Sequence, residues 1–457
     1  LPLHKAVILS DCGIHSTARR HSQRTSAFKV TILQLDQAST EQLREWESAL
    51  SAQYEEFKAA GLNLDLTRGK PSSEQLSLSD AILDVLGHDL SNETNTDLRN
   101  YGGLDGIAEC KRLFAPVLGV STDEILIGGN SSLTLMYFAA MFANHMGFGD
   151  LGKAWSDGGQ TVKFLCPVPG YDRHFAVCEH LGIEMIPVSM NDNGPDMDEV
   201  EALVKADASI KGIWCVPRFS NPTGIVYSDD VVKRIAELGK IAGDNFRVFW
   251  DNAYAVHSLS DSAPELANLM DACRNAGTEN SVYLFGSTSK ITYAGAGVAF
   301  VGMSAANLKA FKHHLGMTQI GPDKINQLRH VRLLQDSNGL AAHMREHAAV
   351  LKPSFDIVLK HLNEGIGDSG LLSWTAPEGG YFIAVDTLPG LAKQVVAMAA
   401  DAGVKLTPAG ATFPYGKDPQ DRNIRLAPSV PTLEEIDRAM QVFVTCVKLA
   451  SVRQRLG

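Results

Sequence analysis

The sequence has few cysteines, and none of them belongs to a recognisable motif. Its 457 residues include 7 cysteines, and no two of them form a C-x-x-C pair. Disulfide frameworks and structural zinc sites depend on paired or regularly spaced cysteines, so we expect neither and predict no metal site. Scattered single cysteines are typical of buried thiols in a reducing compartment, which predicts a cytoplasmic protein.

An excess of positive charge and long apolar stretches are missing as well. The 41 lysines and arginines are outnumbered by 52 aspartates and glutamates, which gives a formal charge of −11. Nucleic-acid binding relies on clustered basic residues, so we expect no nucleic-acid partner. No apolar stretch approaches the roughly 20 residues that cross a bilayer, so we expect no membrane partner. What is present is the composition of a globular protein with room for two domains.

The first 35 residues differ from the rest in charge. They contain Arg19, Arg20 and Arg24 but only one acid, Asp11. A transit-like leader has this Arg-rich, acid-poor composition. We prefer to interpret residues 1–35 as a disordered extension or a mis-called start, and we leave them out of the fold.

A helix is predicted directly after this segment. Residues 39–60 place apolar side chains along one face of a helix, at Leu43, Trp46, Leu50, Tyr54 and Phe57. Ser39 or Thr40 is expected to cap its N-terminus, and Gly61 is expected to end it.

Between residues 123 and 301, apolar strand-like runs alternate with helical patterns. The strand candidates are EILIGG, TVKFLCPV, EMIPVS, GIWCVP, FRVFWDN, SVYLFGS and AGVAFVG. Strands separated by helix-length segments predict an α/β fold with a mostly parallel sheet that is covered on both faces. A helix-rich stretch and two short strands, YFIAVD and NIRLAPS, follow and predict a smaller α+β domain. We assign residues 96–335 to the large domain and residues 36–95 and 336–457 to the small domain.

Three short motifs carry reactive side chains, and each follows or ends a strand-like run. FGSTSK places three hydroxyls directly before Lys290. An amine that forms an imine must lose its proton in a semi-enclosed site, and hydroxyls beside it can bind a phosphate. By itself this motif is equally compatible with a surface lysine.

The other two motifs are SNPTG and FWDNAY. Asn221 lies among turn dipeptides, so it belongs to a turn whether or not its side chain has a further role. Asp251 ends a buried run and needs a partner there. It is either an ordinary cap or the counter-ion of a cationic ring nitrogen. The intervals between Asn221, Asp251 and Lys290 are those of βα units, so we expect all three at one edge of the sheet.

Taken in order, SNPTG, D-x-x-Y and S-x-S-K resemble the motifs of the fold-type I aminotransferases that depend on pyridoxal 5'-phosphate (PLP), the class I and II group. The similarity covers about residues 40–450 and is greatest to the bacterial subgroup described as aspartate aminotransferases. The resemblance implies a PLP-dependent transferase-like large domain with a mostly parallel seven-stranded sheet, and pyridoxal 5'-phosphate as the cofactor.

By this resemblance, Lys290 forms the internal aldimine with the cofactor and then acts as general base and acid. Asp251 pairs with the pyridine nitrogen and keeps the ring a good electron sink. Tyr254 and Asn221 bind the 3-oxygen of the ring. Tyr171 in PVPGYDRHF stacks on the ring, with an ordinary core tyrosine as the alternative.

The resemblance places the cofactor phosphate at the segment ILIGGNSSLTLMYFAA. Asn130 and Ser131 precede a helix there, and a helix N-terminus suits an anion. A simple N-cap is the alternative for both residues. Ser287 and Ser289 contribute hydroxyls to the same phosphate. Tyr101 in RNYGGLDG reaches the phosphate of a neighbouring subunit, which implies a homodimer with shared active sites.

The substrate α-carboxylate is assigned, again by resemblance, to Arg425 in NIRLAPS, whose planar fork suits a carboxylate. Gly69 in LTRGKPS brings its backbone to the same carboxylate, and Asn221 lies beside it.

One position departs from the family pattern. The arginine that usually follows the lysine by eight residues and pairs with the phosphate is replaced by Val298. Arg218 and Arg68 are candidates for binding a second substrate carboxylate, although we prefer structural or surface ion pairs for both.

Three functions are compatible with these residues. The first is an aminotransferase that moves an amino group from an L-amino acid to a 2-oxo acid by a ping-pong mechanism, with aspartate and 2-oxoglutarate as the pair that the subgroup indicates. A β-lyase would use the same lysine, aspartate and tyrosine. We do not favour the third, a PLP-sensing regulator, because such proteins usually carry an added DNA-binding domain and no helix-turn-helix pattern precedes residue 40.

Overall fold

The computed structural model describes residues 33–457, so most of the prediction for residues 1–35 lies outside the described part. No helix in residues 33–457 is long and apolar enough to cross a membrane. The helices are α1 (Thr40–Ala59), α2 (Ser73–Ser77), α3 (Ala108–Leu118), α4 (Ser132–His145), α5 (Asp172–His180), α6 (Met197–Ala206), α7 (Asp229–Ile241), α8 (Leu269–Ala276), α9 (Ala305–Leu315), α10 (Lys324–Leu334), α11 (Ser337–Gly365), α12 (Ala392–Asp401) and α13 (Leu433–Leu456).

The strands alternate with these helices along most of the chain. They are β1 (Leu64–Asp65), β2 (Ile125–Ile127), β3 (Lys163–Val168), β4 (Glu184–Asn191), β5 (Gly194–Pro195), β6 (Ile210–Cys215), β7 (Arg247–Asp251), β8 (Val282–Ser287), β9 (Ala299–Gly302), β10 (Leu372–Trp374), β11 (Ile383–Thr387), β12 (Val404–Lys405) and β13 (Asn423–Leu426).

The first helix, α1, forms where the apolar periodicity predicts it. The Ser39 side chain accepts a hydrogen bond from the Gln42 backbone, and the Gln42 side chain accepts one from the Ser39 backbone, which completes a capping box. Gly61 follows the helix with a φ of 64°, a left-handed conformation that glycine adopts without strain. Of the predicted inner face, Leu43, Tyr54 and Phe57 are buried. The helix prediction is confirmed.

The large sheet has the strand order β2-β9-β8-β7-β6-β3-β4-β5. All seven predicted strands are present in it, and the central strands β4, β3, β6, β7 and β8 pair in parallel. The eighth strand, β5, adds two residues that pair antiparallel with β4. The seven-strand count therefore omitted one short edge strand, because two residues carry no apolar alternation that a sequence pattern could register.

Both faces of the large sheet are covered by apolar side chains. Along β7, Val248 and Trp250 belong to one apolar cluster, and Phe249, between them, belongs to the cluster on the opposite face. Successive side chains of a strand point to opposite faces, so a strand that is buried on both sides must be apolar throughout. This explains why the predicted strands are nearly continuous apolar runs.

The smaller α+β part combines the two ends of the described chain. Strands β10, β11 and β13 form an antiparallel sheet, and β1 pairs in parallel with β12, with Leu64 opposite Val404. Apolar residues of α1 and α13 share one core with this sheet. The N-terminal segment therefore packs with the C-terminal part, while the limits 36–95, 96–335 and 336–457 stay predictions.

Candidate active site

Asp251 is the last residue of β7, and its carboxylate is buried with only one of its oxygens bonded. The Oδ2 atom lies 2.9 Å from Nε2 of His174, and the His174 ring stacks on Trp214 with centroids 4.3 Å apart. The Oδ1 atom is buried and has no hydrogen-bond partner. A buried carboxylate oxygen without a partner is costly, so this one is suited to a cationic or N–H group of a ligand. Asp251 caps no helix or turn in the described chain.

Lys290 follows β8, the strand next to β7, and is partly buried instead of lying on the surface. Its Nζ lies 5.0 Å from the centroid of the Tyr254 ring, which is itself buried. Burial lowers the pKa of the Lys290 ammonium below its ordinary value, although the negative charge of Asp251 opposes this effect. A lysine with a lowered pKa supplies a free amine more readily at neutral pH.

Two tyrosines lie close to this buried charge. Burial raises the pKa of the Tyr254 hydroxyl, and the charge of Asp251 adds to the increase, so Tyr254 stays a neutral donor. Tyr171 precedes α5 and meets the His174 ring edge-to-face, with centroids 4.9 Å apart. Burial also raises the pKa of Tyr171, helped by the charge of Asp251. Both predicted tyrosines therefore lie near the carboxylate.

Arg425 in β13 is buried, and the structure brings it to Asn221. Its Nη1 donates to Oδ1 of Asn221 at 3.2 Å and to Oδ1 of Asp172 at 3.3 Å. The guanidinium also lies over the ring of Phe382, 4.7 Å from the centroid. A Cβ at Gly69 would come within 2.4 Å of that same ring, so a larger residue there would require the ring to shift. Arg425 thus contacts Asn221 directly, and Gly69 lies against the Phe382 ring that the guanidinium covers.

The predicted phosphate residues lie at the N-terminus of α4 and on the turn before Lys290. Ser131 is the N-cap residue of α4, but its side chain makes no capping hydrogen bond. Asn130 is exposed, and its Nδ2 lies 3.4 Å from the carbonyl oxygen of Gly295. The hydroxyl of Ser287 donates to that of Ser289 at 3.1 Å. The N–H groups of the first turn of α4 therefore have no side-chain cap.

The two arginines considered for a second carboxylate have different surroundings. Arg218 donates to the carbonyl oxygens of Ala255 and Pro264 and lies 3.7 Å from Glu265, so it holds a loop in place. Arg68 is exposed, and its side chain makes no hydrogen bond or ion pair within residues 33–457.

Tyr101 is the predicted residue that lies outside this group. It is 83% exposed, on a loop that Lys324 ties together through the carbonyl oxygens of Asn100 and Gly102. Its predicted assignment to a phosphate therefore depends on a second subunit.

Sequence reasoning missed three residues of the site. His174 binds the buried carboxylate, Asp172 binds the buried arginine, and the Nε2 atom of His257 lies 3.2 Å from the carbonyl oxygen of Lys290. Burial lowers the pKa of His257 to about 3, so this ring is neutral. The D-R-H segment at the start of α5 reads as an ordinary polar helix start, and no spacing rule links it to Asp251.

Comparisons with known proteins identify the family to which the chain is similar. The family profile described as "Aspartate amino-transferase" matches residues 38–457. The aspartate aminotransferase of Corynebacterium glutamicum is 48% identical over 403 residues, which cover 88% of this chain and 93% of that protein.

Solved structures of aminotransferases have a similar fold. The crystal structure of an aspartate transaminase from Corynebacterium glutamicum superposes with a TM-score of 0.89 at 45% identity, and the match covers 93% of this chain and 100% of that chain. The α-aminoadipate aminotransferase of Thermus thermophilus shares the fold, with a TM-score of 0.70 at 21% identity over 92% of this chain and 96% of that chain.

Proposed function

Because the chain belongs to the aspartate amino-transferase family, we propose that it is a PLP-dependent aminotransferase that moves the amino group of L-aspartate to 2-oxoglutarate by a ping-pong mechanism. The observation that carries this proposal is that two suitable groups lie on neighbouring strands at one edge of the sheet. Asp251 has a buried, unpartnered carboxylate oxygen, and Lys290 has a lowered pKa. The name of the Corynebacterium glutamicum relative supports aspartate as the substrate.

The residues of the site fit this cofactor. Oδ1 of Asp251 is suited to the N–H of a protonated pyridine ring, because it is buried and lacks any other partner. The uncapped N-terminus of α4 and the hydroxyls of Ser287 and Ser289 are suited to its phosphate. In this proposal Asn221 and Tyr254 bind its 3-oxygen, and Tyr171 covers its ring. When bound, the cofactor supplies a sink for the electrons that are released at the substrate Cα.

Each residue of the chain then has a defined task. Lys290 would hold the cofactor. Its Nζ, once released, would accept the proton from the substrate Cα and deliver it to the cofactor carbon that is bonded to the substrate nitrogen. Arg425 binds the α-carboxylate through its planar fork, beside the backbone of Gly69. To do so it must exchange Asp172, its present partner, for the carboxylate of the substrate.

A dicarboxylate substrate needs a second cation. Arg218 is committed to the carbonyl oxygens of its own loop, whereas Arg68 next to Gly69 has no partner among the described residues. We therefore assign the side-chain carboxylate of aspartate to Arg68.

We also propose a homodimer in the cytoplasm. Tyr101, Met317 and Ile320 are large apolar side chains that are exposed, and burying them against a second copy is favourable. Tyr101 would then reach the phosphate site of the partner subunit. The cysteines of the described chain are unpaired and buried, which fits a reducing compartment.

A half-reaction screen tests the function. Each amino acid is mixed with the PLP-loaded protein, without an amino acceptor, and conversion to pyridoxamine phosphate is followed by absorbance. We expect conversion by aspartate and glutamate, and the second half-reaction with 2-oxoglutarate should restore the starting spectrum. Release of pyruvate and ammonia without conversion of the cofactor would instead indicate a β-lyase. A colourless protein that takes up no PLP would refute the proposal.

A further inference from the structure

The position that follows Lys290 by eight residues offers no side chain to a phosphate. Val298 is 2% exposed and packs in an apolar cluster with Phe114 and Ile127. Its backbone N–H donates to the hydroxyl of Thr288 at 2.9 Å, and its carbonyl oxygen accepts from the backbone of Thr288 at 2.8 Å. Val298 therefore holds the turn before Lys290 through two hydrogen bonds to Thr288.

Behind that turn lies a buried cluster of Thr288, Thr292, Asn326 and His330, here called the His330 cluster. Nε2 of His330 lies 2.8 Å from the hydroxyl of Thr292 and 3.2 Å from that of Thr288. The two hydroxyls are 3.1 Å apart. Thr288, Thr292 and His330 are completely buried. Three side chains thus join residue 288, residue 292 and helix α10 at one point.

The hydrogen bonds assign the protons of His330. Its Nδ1 lies 2.8 Å from the carbonyl oxygen of Asn326, and since a carbonyl only accepts, Nδ1 carries the hydrogen. Nε2 of the neutral ring is then an acceptor for a threonine hydroxyl. Burial lowers the pKa of His330 to about 4, so the ring stays neutral at physiological pH. The cluster holds the turn with dipoles and contributes no charge.

The same cluster holds the loop next to the phosphate residues. Nδ2 of Asn326 donates to the carbonyl oxygens of Ala296 and Gly297, each at 2.9 Å. Gly297 leads into β9, where Ala299 pairs with Ser287 on one side and bonds to Gly129 on the other. Ala299 therefore lies between Ser287 and the segment that leads into α4. Asn326 holds the loop that precedes Ala299.

We propose that His330, acting through Thr288 and Thr292, positions the turn of residues 287–291 so that its hydroxyl and N–H groups bind the cofactor phosphate without help from an arginine. His330 touches neither cofactor nor substrate and is a positioning residue. This inference rests on the proposed function, because it concerns how PLP is held. It goes beyond that function because it assigns to the His330 cluster the positioning of the groups that bind the phosphate.

A cation next to the cluster is the competing source of phosphate binding. Arg329 precedes His330 on α10, and its Nε is buried without a hydrogen-bond partner. If Arg329 supplied a positive charge to the phosphate, the His330 cluster would not be needed for phosphate binding. The experiment therefore compares variants of both residues.

The test measures cofactor affinity and not turnover. The full-length protein is stripped of cofactor, and dissociation constants are measured for PLP and for pyridoxal, which lacks the phosphate. We expect His330→Leu and Thr292→Val to weaken PLP binding by about tenfold, the effect of losing one or two buried hydrogen bonds, and to leave pyridoxal binding within about twofold. Thr445→Val removes a buried hydroxyl that bonds Gln441 in α13, and it serves as the matched control, with both affinities unchanged.

The outcomes separate the two proposals. If the unaltered protein binds neither compound, the proposed function fails. If it binds PLP but the His330 and Thr292 variants lose affinity for PLP and pyridoxal equally, the cluster has only a folding role and the inference is wrong. A phosphate-selective loss in Arg329→Gln, with none in Thr292→Val, also overturns it. Thr292→Val keeps the test open if His330→Leu fails to fold, which circular dichroism and thermal unfolding would reveal.

Discussion

Asp251 keeps one oxygen without a partner, whereas the Arg425 guanidinium already donates to three side chains, Asp172, Asn221 and Thr407. We call the first region, with His174 and Lys290, the ring side, and the second, with Asp172 and Asn221, the carboxylate side. An unpaired buried acceptor costs about 1–3 kcal/mol, and that cost is removed when a ligand donates to it. The ring side therefore favours a permanently bound cofactor.

The carboxylate side follows the opposite logic. A substrate must enter and leave in every cycle, so Arg425 needs a partner in the empty state that is replaced easily. Asp172 is such a partner, because the pair is at 3.3 Å and the aspartate is partly exposed. The difference indicates that the ring side is suited to a ligand that stays bound. The carboxylate side is suited to a ligand that is exchanged in every cycle. Four substitutions, from the largest expected effect to the smallest, test this comparison.

Lys290→Ala removes the reactive amine of the ring side. We expect loss of covalent cofactor attachment and a fall in turnover of about 10³-fold or more, because both the attachment and the proton transfer depend on Nζ. Mass spectrometry after borohydride reduction and steady-state kinetics measure the two effects. Lys309→Ala, an exposed lysine that pairs with Asp150, is the control. Normal transamination by the Lys290 variant would show that the lysine is wrongly assigned.

Asp251→Asn keeps the shape of the ring side and removes its charge. We expect turnover to fall by about 10²–10³-fold, the effect of losing a preorganised charge. Burial lowers the pKa of Lys290 and Asp251 raises it, so the substitution should lower that pKa further. In cofactor-free protein, modification of Lys290 by an amine reagent should then begin at lower pH. Asp150→Asn is the control, and an unchanged pH profile would contradict the coupling.

Arg425→Lys retains the charge of the carboxylate side but not its planar fork. We expect KM for aspartate to rise by about 10-fold to 100-fold, since one or two charge-assisted hydrogen bonds are lost. Turnover at saturation should change less, and the affinity for PLP should stay the same. Arg234→Lys, which changes ion pairs between α7 and α6, is the control. Loss of cofactor instead of substrate affinity would erase the distinction between the two sides.

Asp172→Asn removes the negative charge of the exchangeable partner of Arg425. A partly exposed ion pair is worth at most about 1 kcal/mol, so we expect KM for aspartate to fall by no more than about fivefold. Succinate, a dicarboxylate without an amino group, should bind more tightly by the same factor in a competition assay. A rise in KM would mean that Asp172 helps to orient the substrate and is not merely displaced by it.

Local sequence patterns predicted most of the scaffold. All seven longer strands of the large sheet were found from apolar runs, and α1 from its periodicity and caps. Asn221, Asp251 and Lys290 were expected at one edge, since strand ends on neighbouring parallel strands meet there. The short strand β5 escaped detection because two residues leave no pattern. Tyr101 and the homodimer stay predictions.

The sequence by itself determined which residues end the strands, because apolar runs and turn residues act over a few neighbours. Only the tertiary structure decided how these residues are partnered. His174 binds Asp251 across 77 positions, and Asp172 binds Arg425 across 253. The free Oδ1 of Asp251 and the threonine hydroxyls at His330 likewise depend on the packing of distant segments. Such contacts require donor and acceptor atoms to lie about 3 Å apart to within a few tenths of an ångström, and no pattern along the chain encodes that precision.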